Sequence, residues 1–191
     1  MYIIRSAKPA DAHQVVGMLI EAMGDTAYYL AGTKNDMLMK NIINSYFLSH
    51  YSRISYKNCT IVEKNGDICA VMASYEGKFA KEYDEWISEQ IFKNSQRRIE
   101  IDKECFDDEY YIDCICVSDE YRGKKISSLL FKYAIDKANE LKYKKVSLVV
   151  DCEKKHTKQY YEKLGFKDNI DLKINNHSYH HMIKVLVTDD K

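Results

Sequence analysis

The chain has 191 residues, which is enough for one domain with a buried core. Its composition is that of a globular protein, with 46% apolar and 30% charged residues. Lys plus Arg equals Asp plus Glu at 29 each, so no overall electric field would draw the chain to nucleic acid or to an acidic membrane. We therefore expect neither nucleic acid nor a membrane as a partner.

The amino terminus and the cysteines indicate a cytoplasmic protein. The first twelve residues, MYIIRSAKPADA, lack the apolar core and cleavage site of a signal peptide, and no run of 18 apolar residues exists. The six cysteines include no C-x-x-C pair, which argues against a disulfide framework and against a structural zinc site. Cys114 and Cys116 share one predicted strand face and are interpreted as core residues.

The first third of the chain predicts a strand, two helices and a hairpin. Residues 2–5 are strand-like, and Pro9 suits the start of a helix. Residues 24–32 predict a loop, and a second helix follows. Asn65-Gly66 joins two strand-like segments and is a strong hairpin signal. The apolar face predicted for the second helix comprises Leu38, Ile42, Ile43, Tyr46 and Phe47.

Residues 76–109 form a long insertion before the next strand. Apolar residues at helical spacing between Phe79 and Ile91 predict that part of it is a helix. The remainder is acidic, and two interpretations stay open: the charges attract a cationic amine beside a cleft, or they are solvated on a surface loop. The acidic residues are Glu100, Asp102, Glu104, Asp107, Asp108 and Glu109.

Residues 111–117 predict a central strand, and residues 126–141 predict an amphipathic helix. The loop between them carries Arg122, Gly123, Lys124 and Lys125. A helix N-terminus offers free N–H groups and partial positive charge, so this corner suits a phosphate or pyrophosphate. The Walker and dinucleotide-binding glycine patterns are both absent.

The carboxy-terminal part predicts a strand at 145–151, a helix at 156–164 ended by Gly165, and strands at 167–172 and 179–187 around a turn at 173–178. Residues 188–191 look like a frayed tail. His177, His180 and His181 lie near that turn without acidic or cysteine partners at metal spacing, so they are interpreted as surface or packing residues and no metal is assigned.

Two strings resemble hallmarks of the GNAT N-acetyltransferase superfamily. The first is its coenzyme A pyrophosphate loop. Two positions depart from the usual pattern: Lys125 stands where Gly is usual, and Ser127 stands where Gly or Ala is usual. A side chain at Lys125 is tolerable if its backbone is ordinarily helical, which we expect. The second is YYEKLGF at 160–166, which resembles the family's Y-E-K-L-G-F. The residues that match the loop pattern are Val117, Tyr121, Arg122, Gly123, Ile126 and Leu130.

The resemblance implies an α/β (α+β) fold over a single domain, residues 1–191. Its mixed, mostly antiparallel sheet would have six to seven strands and part between strands 4 and 5. About four helices would flank it, with an added helix in the 76–109 insertion. Members of the family are often dimers, so a homodimer is a further expectation, although no residue pattern defines an interface.

The resemblance also implies acetyl coenzyme A (acetyl-CoA) as cosubstrate, with its pantetheine arm along strand 4. Tyr161 would be the acid that protonates the departing thiolate, with Tyr160 facing elsewhere on its helix. Tyr28 and Tyr29 are candidates for substrate contact or for packing. The residues expected to bind the cosubstrate are Ile115, Cys116, Val117, Arg122, Gly123, Lys124, Lys125, Ile126 and Ser127.

Asp113 is the only charge in the central strand. Strand alternation places it on one face with Tyr111, Ile115 and Val117. It is therefore a candidate for the group that takes the proton of an attacking amine, and a structural role is the alternative.

Three functions are compatible with these features. The first is acetyl transfer from acetyl-CoA to a primary amine of a small cationic metabolite, by direct attack in a ternary complex. The second is transfer to a protein lysine or N-terminal amine, and the third is a non-catalytic module that binds acyl-CoA. A module that binds nucleic acid through the basic loop is disfavoured by zero net charge.

Overall fold

The computed structural model describes residues 1–186, and a seven-stranded sheet in the order β1-β2-β3-β4-β5-β7-β6 forms its centre. Neighbouring strands are antiparallel except β4 and β5, which are parallel. The strands are β1 Ile3–Ser6, β2 Cys59–Lys64, β3 Asp67–Glu76, β4 Tyr110–Val117, β5 Lys145–Asp151, β6 Lys167–Ile174 and β7 His177–Val185. The mixed, mostly antiparallel sheet is confirmed.

Six α-helices accompany the sheet in the described part of the chain, and none is long and apolar enough to cross a membrane. Residues 24–32 were predicted as a loop, but most of them form a helix that buries Ala27, Leu30 and Ala31. In the next helix Leu38 is exposed, and Met39 takes its predicted place in the core. The helices are α1 Ala12–Met23, α2 Asp25–Ala31, α3 Asp36–Leu48, α4 Ala80–Ser95, α5 Ile126–Glu140 and α6 Lys155–Lys163.

The predicted turns are mostly in place. Asn65 and Gly66 adopt positive φ angles of 55° and 92° between β2 and β3, as the hairpin signal indicates. The turn between β6 and β7 is shorter than predicted, because only Asn175 and Asn176 leave the ladder, with φ of 47° and 65°. Both asparagines tolerate the left-handed region, so a two-residue turn is enough and the β6–β7 ladder continues up to Ile174 and His177. The predicted strand residue Val187 and the tail at 188–191 lie outside the described residues.

The two faces of the sheet carry separate cores. Val71, Ala73 and Cys116 point into the core formed with α1, α2, α3 and α4, whereas Ala70 and Met72 point into the core formed with α5. Period-two alternation along β3 therefore supplies both faces, which is why this strand reads as a continuous apolar run.

Strands β4 and β5 part after a short contact. Their parallel pairing covers only Tyr110, Tyr111 and Ile112 of β4, opposite residues 146–148 of β5. Beyond Ile112 the β4 edge that faces β5 has no strand partner in the described structure. The predicted parting of strands 4 and 5 is confirmed, and it leaves backbone hydrogen-bonding groups available at 113–117.

A β-bulge at Asp113 changes the predicted orientation of this strand. Ala73 pairs with Cys114 and Ser74 with Ile112, so Asp113 is an extra residue in β4. The prediction that Asp113 and Ile115 lie on the same face of the strand is therefore wrong. Cys114 packs against the core of α1 to α4, whereas Ile115 packs against the core of α5.

The insertion is closed at its base by backbone contacts. The N–H of Gly77 donates to the carbonyl of Glu109 over 2.8 Å, which joins the second and the last residue of the segment. A Cβ atom at position 77 would lie 2.0 Å from the carbonyl oxygen of Phe106. Glycine is required here by the close approach of two backbones.

We expect Gly77→Ala to lower the free energy of unfolding by roughly 2 kcal/mol, because the base of the insertion must move to admit the methyl group. Urea unfolding followed by circular dichroism measures this change. Gly17→Ala in α1 is the matched control, since a Cβ there meets nothing within 4 Å. It should be neutral or stabilising by up to ~1 kcal/mol. Equal stability of the two variants would contradict the requirement for glycine at position 77.

Candidate active site

The loop between β4 and α5 presents positive charge at a helix N-terminus, as predicted. Arg122 is anchored by its Nε, which donates to the carbonyl of Val117 over 3.1 Å. Its guanidinium also pairs with Glu21 of α1 at 2.5 Å and with Asp119 at 2.6 Å. The Nζ of Lys124 donates to the carbonyl of Glu120 over 2.7 Å. Arg122 is thus held by a backbone carbonyl and two carboxylates, and Lys124 by a backbone carbonyl of its own loop.

The backbone of Lys125 is not in the ordinary helical region that was expected. Its φ and ψ are 60° and 21°, so it is a left-handed residue at the N-cap of α5. A residue other than glycine in this left-handed conformation lowers the free energy of unfolding by about 1 kcal/mol. Gly123, with φ of 75°, adopts the same region two residues earlier.

A cavity of about 510 Å³ opens beside this loop, and we name it the loop cavity. Of the residues predicted to bind the cosubstrate, five line it: Ile115, Cys116, Val117, Arg122 and Ser127. Gly123, Lys124 and Lys125 lie in the adjoining loop without lining it, and Ile126, the first residue of α5, is buried in the core of that helix. Glu21, Thr157 and Tyr160 also line it and were not predicted.

Tyr160 and Tyr161 both face the loop cavity, so the expectation that Tyr160 faces elsewhere is wrong. The Tyr160 hydroxyl lies 2.8 Å from the Ser127 hydroxyl, which ties α6 to the loop. The Tyr161 ring packs against Phe131 with ring centroids 5.7 Å apart. Burial raises the pKa of Tyr161 to about 12, with smaller contributions from Tyr160 and Cys114. The phenol is therefore protonated at neutral pH.

A second cavity of about 230 Å³, which we name the acidic cavity, lies on the other side of Tyr161. Ala22, Ile115, Thr157 and Tyr161 line both cavities, so the two meet beside the parted β4 edge. The charged residues that line the acidic cavity are Glu104, Asp113, Asp151, Arg53 and Lys154. A larger groove, of about 1140 Å³, lies along α4 and shares no lining residue with either cavity.

Arg53 is the centre of a buried ion cluster behind the acidic cavity. Its side chain is only 2% exposed, and its nitrogens lie 2.5 Å from Asp113, 2.7 Å from Glu104 and 3.3 Å from Asp84. The Tyr75 hydroxyl donates to the same Asp113 oxygen over 3.0 Å. The cluster therefore connects β4 to both parts of the insertion, α4 and the acidic segment.

One guanidinium cannot neutralise the three carboxylates around it, and burial dominates the titration of two of them, Asp84 and Asp113. Burial raises the pKa of Asp84 to about 7 against the lowering effect of Arg53. Burial also raises the pKa of Asp113 above its ordinary value, again opposed by Arg53. A carboxylate in this environment holds a proton more tightly than one in water.

The acidic residues of the insertion do not behave as a group. Glu104 and Glu109 are buried, so the interpretation of all six as solvated charges is wrong for these two. Glu104 accepts a hydrogen bond from the Tyr111 hydroxyl over 2.6 Å and lines the acidic cavity. Glu100, Asp107 and Asp108 are exposed, as a surface loop would have them.

Tyr28 and Tyr29 line neither cavity. The Tyr28 hydroxyl donates to Asp36 over 3.0 Å, and the Tyr29 hydroxyl donates to the backbone carbonyl of Glu100 over 3.1 Å. Both side chains are partly buried against the core of α1 to α4. Their contacts are those of packing residues, which was the alternative to substrate contact.

Two of the three carboxy-terminal histidines, His180 and His181, have acidic partners, contrary to the sequence interpretation. The Nε2 atom of His181, which is fully buried, lies 3.0 Å from Oε2 of Glu109. His180 lies 2.7 Å from Asp171, and both are close to Cys152. Spacing along the chain could not reveal these groups because their members come from different strands and from the insertion.

A model of the acetyltransferase (GNAT) family matches residues 38–166. The chain belongs to this family, and it is an acyltransferase whose family uses acetyl-CoA as cosubstrate. The matched segment runs from α3 through the loop at 122–125 to Phe166, and so includes both strings that carried the resemblance.

The fold is also that of solved acetyltransferases. An N-acetyltransferase from Staphylococcus aureus Mu50 is 24% identical with a TM-score of 0.81, covering 95% of this chain and 99% of that chain. A protein described as an acetyltransferase is 24% identical, with a TM-score of 0.78 and coverage of 97% and 100%. A Corynebacterium glutamicum protein described as histone acetyltransferase HPA2 and related acetyltransferase is 16% identical, with a TM-score of 0.67 and coverage of 100% and 99%. No curated protein sequence matches the chain.

We expect Asp84→Asn to change the pH dependence of stability. A carboxyl whose pKa is raised to about 7 on folding stabilises the wild type at low pH, and this contribution is lost as the pH rises through 7. The variant should therefore gain roughly 2 kcal/mol relative to the wild type between pH 5 and pH 8. Urea unfolding at both pH values measures the difference.

Glu85→Gln is the control, because Glu85 lies on the same helix but is exposed. Its stability relative to the wild type should be the same at both pH values. A constant difference between Asp84→Asn and wild type would contradict the raised pKa.

Proposed function

We propose that the chain transfers an acetyl group from acetyl-CoA to a primary amine of a small cationic metabolite, by direct attack in a ternary complex. The observation that carries this proposal is the meeting of the loop cavity and the acidic cavity at Ile115, Thr157 and Tyr161. A donor bound on the basic side and an amine bound on the acidic side would meet beside the unpaired edge of β4.

The donor side is built for an elongated polyanion. The pyrophosphate would lie on residues 122–127, where Lys124 and Lys125 add positive charge to the N-terminus of α5. Arg122 would join them by exchanging its pairing with Glu21 and Asp119 for the phosphate oxygens. The pantetheine arm would pair with the free backbone groups of Ile115, Cys116 and Val117, as an added strand does. A backbone N–H of this strand could then stabilise the oxyanion that develops on the thioester carbonyl.

The acceptor side favours a small cation. Three carboxylates, from Glu104, Asp113 and Asp151, line the acidic cavity against two cations, Arg53 and Lys154. Arg53 is already engaged by the first two and by Asp84, which lies outside the cavity wall. An alkylammonium replaces part of the charge that this cluster lacks. The volume of about 230 Å³ suits a metabolite rather than a folded chain.

Attack requires a neutral amine, and an alkylamine is mostly protonated at pH 7. Asp113 lines the acidic cavity and has a pKa raised by burial, so it is better matched to accept that proton than an exposed aspartate is. We assign it as the general base, directly or through a water molecule. Arg53 and Tyr75 hold one of its oxygens in position.

Tyr161 is assigned as the group that protonates or hydrogen-bonds the departing thiolate. It lies where the two cavities meet, and its pKa of about 12 keeps it protonated. Burial that raises the pKa of the phenol also raises that of a thiolate leaving into the same space, so the proton affinity of the acceptor rises together with that of the donor.

Direct transfer is favoured over an acetyl-cysteine intermediate. Cys114 lines the acidic cavity, and Cys116 lines the loop cavity. Burial raises the pKa of the Cys114 thiol well above its ordinary value and that of the Cys116 thiol to about 11. The nucleophilic thiolate form is therefore scarce at neutral pH.

A protein amine as acceptor is the second candidate. The Corynebacterium glutamicum neighbour is named as a histone acetyltransferase, but at 16% identity the likeness concerns the fold. In the present chain α2, the insertion and β7 all contribute to the wall of the acidic cavity, through Thr26, Glu104 and Tyr179. An extended peptide has less room there than a small amine has.

We expect thiol release from acetyl-CoA in the presence of polyamines or similar cationic amines, and little release with amino acids or lysine peptides. Tyr161→Phe should keep the Michaelis constant for acetyl-CoA and lower turnover ten-fold or more, since it removes only the proton donor. Tyr160→Phe is the matched control, because Tyr160 lines the loop cavity alone and should keep turnover within about three-fold.

Release with lysine peptides alone would support the protein-acceptor alternative. Unchanged turnover in Tyr161→Phe would contradict the assigned acid. Thermal stabilisation by acetyl-CoA without release with any amine would favour a non-catalytic acyl-CoA-binding module.

We expect Lys125→Gly to stabilise the protein and weaken acetyl-CoA binding together. Glycine removes a left-handed strain of about 1 kcal/mol, while loss of the charge should raise the Michaelis constant for acetyl-CoA about five-fold, the equivalent of ~1 kcal/mol. Lys142→Gly is the control, because Lys142 is left-handed too, with φ of 63°, but follows the far end of α5. It should give the same stabilisation and an unchanged Michaelis constant. An equal Michaelis constant for acetyl-CoA in the two variants would contradict the placement of Lys125 in the pyrophosphate site.

A further inference from the structure

Cys152, Asp171 and His180 form a cluster at one end of the sheet, and their ligand atoms all lie within 4.8 Å of one another. The three residues follow β5, lie within β6 and lie within β7, respectively. None of them lines the loop cavity or the acidic cavity. The cluster is therefore a site separate from the one that binds acetyl-CoA and the amine.

We propose that these three side chains bind a zinc ion, with water as the fourth ligand. A thiolate sulfur, an imidazole nitrogen and a carboxylate oxygen are the three ligand types that Zn²⁺ prefers in proteins. A hard cation such as Mg²⁺ selects oxygen ligands, so the cysteine and histidine together point to zinc or a metal like it.

The geometry needs only small adjustments to accept the ion. Ligand atoms about 2.0 to 2.3 Å from a tetrahedral zinc are roughly 3.3 to 3.7 Å from one another. One pair is already closer than that, because Nδ1 of His180 lies 2.7 Å from Oδ1 of Asp171. The longest separation must contract by about 1 Å. The Asp171 side chain is 76% exposed and can rotate toward the other two.

Strand pairing holds the ligands near one another. Asp171 and His180 are directly opposite in the β6–β7 ladder, and Val150 is opposite His180 in the β5–β7 ladder. The backbone N–H of Cys152 donates to the carbonyl of Ser178 over 3.0 Å, which fixes the chain just beyond β5. Two of the three ligands thus come from rigid strands, and the third follows a hydrogen-bonded strand end.

The charges around the cluster favour a cation. Beside Asp171, Asp151 and Lys158 act electrostatically on the Cys152 thiol. Lys158 is engaged by Asp168 at 2.6 Å, so its charge is compensated. The carboxylates of Asp171 and Asp151 leave a net negative charge here, and binding of the metal would displace the proton of the Cys152 thiol.

The test is titration of metal-free, tag-free protein with Co²⁺, which replaces Zn²⁺ and absorbs visible light. The wild type should bind one equivalent, with a thiolate-to-metal charge-transfer band and the strong d–d bands of a tetrahedral site, and Zn²⁺ should bleach both. Cys152→Ser should lose the charge-transfer band. Asp171→Asn and His180→Gln should weaken binding at least ten-fold. Zn²⁺ should raise the melting temperature of the wild type and leave that of Cys152→Ser unchanged.

His177→Gln is the matched control, because His177 lies on the same strand as His180 but outside the cluster. It should bind Co²⁺ as the wild type does. A folded wild type without a charge-transfer band, or a band that persists in Cys152→Ser, would overturn the proposal. Neither result depends on acetyl transfer, so the test is independent of the proposed function.

Discussion

The parting of β4 and β5 is the constraint on which the rest of the site depends. Parallel pairing stops after Ile112, and the bulge at Asp113 follows at once. From that point the edge of β4 has lost its strand partner, so its backbone groups need another. The same divergence opens the space in which the loop cavity and the acidic cavity meet. Because the bulge reverses the alternation, Asp113 and Ile115 serve opposite faces of a single strand.

The buried ion cluster is what attaches the insertion to this strand. Arg53 lies between α3 and β2, and its partners come from α4, from the acidic segment and from β4. Replacing Arg53 alone would leave three carboxylates without a counter-charge, so the cluster favours a single placement of the insertion. The excess of carboxylates also gives the acceptor side its character. Structure and proposed specificity therefore depend on the same four side chains.

Local signals predicted most of the elements and part of the site. Asn65-Gly66 predicted a hairpin because only a few residues adopt its left-handed turn, and the string from Val117 to Leu130 predicted a strand, an anion loop and a helix. Residues 24–32 were assigned to a loop because glycines flank them, yet packing of Ala27, Leu30 and Ala31 stabilises a short helix between those glycines. Lys125 was expected to be helical, and the turn into α5 instead places it in the left-handed region.

By itself the sequence determined the family and the order of elements, and it marked Arg122, Ser127 and Tyr161 for the site, since motifs and periodicity depend on neighbours along the chain. Only the tertiary structure decided which distant residues meet. Arg53 had no sequence signal, yet it contacts Asp113 sixty residues away. Cys152, Asp171 and His180 meet because three strands end or pair at one side of the sheet. Such contacts depend on long-range strand pairing and on a one-residue bulge, and neither leaves a local pattern in the sequence.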